Sequence, residues 1–129
     1  VISVRDPVTG AASNVNVAGQ RLARAPKWSG STFVDYAMPI SSEANLRMRL
    51  DFAFKSSERT IQGRSDMISP SYQKLDARLS YERGNFTASV FGKNLTNDTF
   101  ITFAQSVATF DVASISDPRT YGVGITYRF

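Results

Sequence analysis

Asn45-Leu46-Arg47-Met48-Arg49-Leu50-Asp51-Phe52-Ala53-Phe54-Lys55 is the stretch whose reading decides the fold class. Every second residue from Leu46 to Phe54 is apolar, and Asn45, Arg47, Arg49, Asp51, Ala53 and Lys55 stand between and beside them. Successive side chains of a strand point to opposite faces, so a period of two predicts a β-strand with one apolar and one charged side. The same parity recurs on both sides of it. In residues 28–38, Trp28, Gly30, Thr32, Val34, Tyr36 and Met38 face away from Ser29, Ser31, Phe33, Asp35 and Ala37, with Phe33 out of pattern. Residues 73–82 set Leu75, Ala77, Leu79 and Tyr81 against Lys74, Asp76, Arg78, Ser80 and Glu82. Residues 86–94 set Phe86, Ala88, Val90 and Gly92 against Thr87, Ser89, Phe91 and Lys93, with Phe91 the second exception. The last stretch, residues 119–129, carries Tyr121, Val123, Ile125, Tyr127 and Phe129 on one side and Gly122, Gly124, Thr126 and Arg128 on the other. No window of useful length has a comparably clean helical period, so the expectation is an all-β, antiparallel protein.

The segments between these strands alternate in length. Residues 39–44 and Arg83-Gly84-Asn85 are short, the latter a glycine-containing hairpin turn. Residues 56–72 and 95–118 are polar and longer than compact domains ordinarily carry. Residues 1–27 read as another long loop, with a strand end at residues 1–4. Antiparallel strands joined in order put every second connection at the same end, so one rim has tight turns and the other extended loops.

Composition narrows the chemistry. The 129 residues contain neither cysteine nor histidine, which excludes disulfide frameworks, Cys/His metal sites, thiol nucleophiles and imidazole triads. Fifteen Lys and Arg against 11 Asp and Glu give a net charge of +4. These cations are scattered, with no run of consecutive Lys or Arg, so no nucleic-acid footprint is formed. No apolar stretch approaches the roughly 20 residues of a membrane helix. Carboxylates on well-separated strands with no base or nucleophile beside them carry no enzyme hypothesis. No cofactor is expected.

Period two does not say whether the apolar side meets a core or lipid. A soluble β-sandwich or small barrel, serving as a ligand-binding or adhesion module, produces the same stripes and is the simpler reading of periodicity alone. Three features favour lipid. Short turns at one rim and long loops at the other are the pattern of outer-membrane barrels. Aromatics of the apolar faces gather at strand ends, Trp28, Phe54 and Tyr121 at one rim and Tyr36, Tyr81, Phe86, Tyr127 and Phe129 at the other. Trp28 to Tyr36 and Tyr121 to Phe129 each span roughly 26 Å at about 3.3 Å per residue, which once tilted matches the apolar band between two aromatic girdles. Finally, five strands are too few to close a transmembrane barrel, whose smallest members have about eight. The expectation is therefore the last five or so strands of a longer antiparallel up-and-down transmembrane β-barrel, with residues 1–27 an external loop.

Four stretches resemble one family. Gly19-Gln20-Arg21-Leu22-Ala23-Arg24-Ala25-Pro26-Lys27-Trp28, residues 72–81, Phe91-Gly92-Lys93-Asn94-Leu95-Thr96-Asn97, and Asp117-Pro118-Arg119-Thr120-Tyr121-Gly122 with the terminal Tyr127-Arg128-Phe129 are similar, in order and spacing, to the C-terminal end of TonB-dependent outer-membrane receptors. The resemblance covers residues 19–129. It implies a location in the bacterial outer membrane, a barrel surrounding an N-terminal plug, external loops that capture a scarce nutrient such as a ferric siderophore, vitamin or oligosaccharide, and indirect coupling to the TonB complex. Neither plug nor TonB-contacting segment is within the chain, which supplies wall and loops.

The resemblance also assigns candidate residues. Tyr121, Val123, Ile125, Tyr127 and Phe129 resemble the terminal signal read by the outer-membrane assembly machinery. Charged residues on the polar parity must face the lumen, because Arg or Lys facing lipid costs about 2–4 kcal/mol at mid-membrane. Arg47, Arg49, Asp51, Lys74, Asp76 and Arg78 are thus candidate lumen or plug contacts, with mutual salt bridging in a wet interior as the plainer reading. In the loops, Arg59, Arg64, Asp66, Thr102, Gln105 and Asp111 are candidate ligand contacts, each set against an ordinary solvated loop. Asn85, Asn94 and Asn97 each begin a glycosylation sequon, read as chance.

Overall fold

The structure, a computed structural model, describes residues 1–6, 8–62, 66–107 and 110–129. Among the described residues eleven strands run in chain order: β1 (Ile2–Arg5), β2 (Ala12–Val15), β3 (Ser29–Pro39), β4 (Ala44–Lys55), β5 (Glu58–Arg59), β6 (Ile68–Ser69), β7 (Tyr72–Arg83), β8 (Phe86–Lys93), β9 (Ile101–Val107), β10 (Phe110–Ile115) and β11 (Thr120–Tyr127). No helix occurs among the described residues, and so none that is long and apolar enough to cross a membrane.

The five strands marked by alternation form one sheet in the order β11-β8-β7-β4-β3. This is a meander: each long strand lies beside its predecessor among these five. The β7–β8 connection is the two-residue turn Gly84-Asn85, with Gly84 at φ 53°, where a left-handed conformation favours glycine. Alternation sets the register. Leu79 lies opposite Val90 and Val90 opposite Val123, while Tyr81, Ala88 and Ile125 form the next row. One residue of slip would exchange the two faces.

The chain folds as two compact units. The first holds residues Val1–Ser29, Lys55–Tyr72 and Thr99–Ser116; the second holds Gly30–Phe54, Gln73–Asp98 and Asp117–Phe129, which is the sheet and its turns. The second is called the wall below, and the first the loop unit.

Where long loops were expected, with a strand end at residues 1–4, the described residues of the loop unit form three antiparallel pairs, β1 with β2, β5 with β6, and β9 with β10. Their alternation is obscured by small and polar residues, Ser13 and Asn14 in β2 and Ala104, Gln105 and Ser106 in β9. Hydrogen bonding to a neighbouring strand, rather than an apolar face, defines them.

The wall has no dry centre. Among the described residues the buried apolar side chains are Ala44 and Ala104, whereas Val90, Val123 and Ile125 are 52, 79 and 75% exposed. Leu46 and Leu50 are half-buried and Leu79 is exposed. A soluble sandwich would bring these positions on the sheet together, since burying apolar area is its main source of stability.

Candidate functional site

The charged face of the wall is satisfied largely within itself. Arg47 donates through Nε to Asp35 Oδ1 at 2.8 Å and through Nη2 to Oδ2 at 3.1 Å, a bidentate pair between β4 and β3. Arg49 donates to Asp51 at 2.8 Å and approaches Asp35 at 3.7 Å. On β7, Lys74 Nζ is 3.0 Å from Asp76 Oδ2. The Arg78 guanidinium lies 5.2 Å from the centroid of Phe91 and that of Arg49 lies 5.0 Å from Phe33. These rings are the two aromatics that break the apolar parity, and each is covered by a cation from its own face. The six candidate lumen residues therefore share one face, where five join ion pairs and Arg78 stacks on a ring.

Close backbone approach accommodates the large rings. A Cβ on Gly122 would lie 2.4 Å from Phe91 Cζ, so the ring fits only because β11 has glycine there. On the opposite face Gly92 leaves room for Tyr121 and Leu95, and Gly30 for Phe54. Cross-strand pairing of aromatic with glycine restores packing that glycine alone would lack.

The proposed terminal signal lies on β11. Tyr121, Val123, Ile125 and Tyr127 occupy its apolar face, opposite Gly92, Val90, Ala88 and Phe86. All four are exposed. The strand ends at Tyr127 rather than at 129, but Phe129 packs its ring edge-on to Tyr127, centroids 5.2 Å apart, and Arg128 N donates to the Asn85 carbonyl at 3.0 Å.

At the other end of β8 lies a site that pattern reading missed. Asn94 is 2% exposed and left-handed, with φ 50°. Its backbone N–H donates to Asp76 Oδ1 at 2.8 Å, and its Nδ2 donates to the carbonyls of Asp98 and Asp117 at 3.0 and 2.9 Å. Asp98 N donates back to Asn94 Oδ1 at 3.2 Å, and Asp98 Oδ2 accepts from Gln73 N at 2.7 Å. The Thr96 hydroxyl donates to the Gln73 carbonyl at 2.6 Å, and Asn97, also left-handed, accepts from Arg119 N at 3.2 Å. Residues 94–98 thus clamp the start of β7 and the approach to β11. A buried amide with both ends bonded fixes geometry, since an unpaired one is costly. The Asn94 sequon is therefore a structural element, inaccessible to a sugar-transferring enzyme.

In the loop unit, Arg59 Nη1 donates to Gln20 Oε1 at 2.7 Å and its carbonyl accepts from Arg24 N at 2.8 Å. Arg59, Gln20, Arg21 and Glu58 line a cavity of about 440 Å³. Thr102 lies on a second, of about 270 Å³, with Arg24, Lys55 and Glu58, where Lys55 Nζ meets Glu58 Oε1 at 2.6 Å. The Thr102 hydroxyl donates across the hairpin to the Ser114 carbonyl at 3.1 Å. Gln105 and Asp111 stand exposed on the β9–β10 hairpin, and Asp66 is exposed. Arg64 lies outside the described residues.

The fold of the chain matches that of a solved receptor. The crystal structure of the ferric yersiniabactin uptake receptor FyuA from Yersinia pestis superposes with a TM-score of 0.72 over 86% of this chain, at 20% identity. The chain has the barrel-wall fold of a TonB-dependent receptor. It spans 17% of the length of that receptor, which is a transport receptor and not an enzyme. No protein-family model and no curated protein matches the chain. Outer-membrane barrel strands alternate apolar residues toward lipid with polar residues toward the lumen, and the sheet has the same alternation of an apolar and a charged face.

Proposed function

We propose that this chain is wall and external loops of an outer-membrane receptor that takes up a scarce nutrient by TonB-energised transport. The observation that carries the reading is the sheet itself, with side chains such as Val123 and Ile125 exposed on one face while ion pairs such as Arg47 with Asp35 hold the other. A membrane completes such a sheet and water does not. Among ferric siderophores, vitamins and oligosaccharides, the cargo named for FyuA favours a ferric siderophore.

In this reading, β11 is the element delivered to the assembly machinery. Its apolar row, Tyr121 to Phe129, anchors the closing strand among lipids, and its free edge receives the barrel's first strand. Arg47, Arg49, Asp51, Lys74, Asp76 and Arg78 line the lumen beside the plug. Their mutual pairing suits a lining that holds its shape while the plug rearranges. Arg59 and Thr102, on cavities of the loop unit, are the favoured ligand contacts. Gln105, Asp111 and Asp66 are secondary ones.

Outer-membrane fractionation and uptake assays test this in cells expressing the complete gene product. The expected result is a heat-modifiable outer-membrane protein whose uptake of a labelled ferric siderophore stops when TonB is deleted. Recovery as a soluble periplasmic or cytosolic protein would overturn the reading.

A further inference from the structure

Arg83 is the one charged residue on the apolar parity of the five wall strands, and it stands at the short-turn end of β7. It lies opposite Phe86, which in turn lies opposite Tyr127, so the cation is set in the row of aromatics at that rim. Its ion partner is Glu43 at 3.6 Å, with the side chains 62 and 73% exposed. So long and exposed a contact is weak and readily exchanged for another anion. An Arg at this position keeps its stem along apolar surface and offers its guanidinium to the interface.

The face leading away from Arg83 is grooved. Small residues on β7 and β8, Ala77, Ala88 and Gly92, lie between taller neighbours on β4 and β11. Two open grooves result, of about 660 and 370 Å³, which share Leu79, Val90 and Val123 and so run on into each other along the strands. From Ala77 to Arg83 is roughly 20 Å along the strand at about 3.3 Å per residue. Inclined at about 45°, that length covers close to half of the roughly 30 Å hydrocarbon thickness, which is one leaflet.

We propose that a glycerophospholipid docks here, its phosphate on Arg83 and one acyl chain in the groove over Ala88 and Gly92. Charge complementarity selects the headgroup end, because Arg83 is the one charged residue of this parity on the five strands and a phosphate can displace the long, exposed contact it makes with Glu43. The small side chains leave the trough that a methylene chain fills. The site rests on the membrane reading above and gives the wall a fixed lipid at the short-turn rim.

Native mass spectrometry of the complete gene product, delipidated and then supplied with dioleoylphosphatidylglycerol, dioleoylglycerol or lipid A, tests it. The wild-type protein should retain phosphatidylglycerol about fivefold better than dioleoylglycerol, the increment expected for one interfacial Arg. Arg83→Gln should abolish that preference, and Ala88→Phe, which fills the trough on a face open to lipid, should reduce retention of both diacyl probes. Equal retention by wild type and Arg83→Gln, or a preference for lipid A, would overturn the site while leaving the receptor reading intact. A protein that is monodisperse in water without detergent would overturn both.

Discussion

On the charged face of the wall, Phe33 and Phe91 each lie under a guanidinium, and Asp35, Asp51 and Asp76 each accept from a cation. On the apolar face, Phe54 and Tyr121 lean over glycines, and the rows centred on Val90 end in open surface. The same five strands thus have one face that closes its own interactions and one that leaves its own incomplete. Only the second needs something from outside the chain. On the proposed reading that asymmetry locates the functional demand, because a lumen lining can be wet and self-neutralised, whereas an apolar face turned to lipid is completed by hydrocarbon.

The comparison is broken most severely by placing a charge on the wrong face. Val90→Arg should destabilise the protein by about 2–4 kcal/mol in guanidinium titrations in lipid vesicles, while Ser89→Arg, one residue away on the charged face, should cost under about 0.5 kcal/mol. Equal losses would mean that the two faces see the same surroundings. Next in size is the Asn94 clamp that follows β8. Asn94→Ala removes the amide that joins Asp98 to Asp117 and should cost about 2–3 kcal/mol, measured in the same titration. Gly122→Ala drives a methyl group into Phe91 and should cost about 1–2 kcal/mol, most of it recovered when Phe91→Leu is added to the same protein. Phe91→Leu alone, which removes the ring beneath Arg78, should cost about 0.5–1 kcal/mol.

The five wall strands are legible because period two needs only local sequence, and their ends differ from the pattern by a residue or two. Arg83 shows what such a shift can hide. As part of the turn with Gly84 it carries no meaning; as the last residue of β7 it becomes the lone cation on the apolar face. Phe33 and Phe91 are visible as exceptions, but their explanation needs Arg49 and Arg78 from neighbouring strands. Asn94 stands in the sequence only as part of a motif and a chance sequon. Its partners Asp76, Asp98 and Asp117 come from separate stretches of chain, so no spacing rule announces the hub. The β9–β10 hairpin escapes pattern reading because Ala104, Gln105 and Ser106 blur its alternation. In the loops Arg59 stands out by its charge alone, and the structure adds its bond to Gln20 and the cavity that both line.

Period-two accessibility across β8 tests the central claim most directly; the 129 residues hold no cysteine, and any cysteine elsewhere in the complete gene product is first replaced by serine. Single cysteines at positions 86, 88, 90, 87, 89 and 93 of the complete gene product, labelled with a fluorophore and reconstituted in vesicles, would be quenched in turn by nitroxide-bearing lipid and by aqueous iodide. The account predicts lipid quenching at 86, 88 and 90 and aqueous quenching at 87, 89 and 93. Absence of alternation, or even-numbered positions shielded from both quenchers, would contradict it.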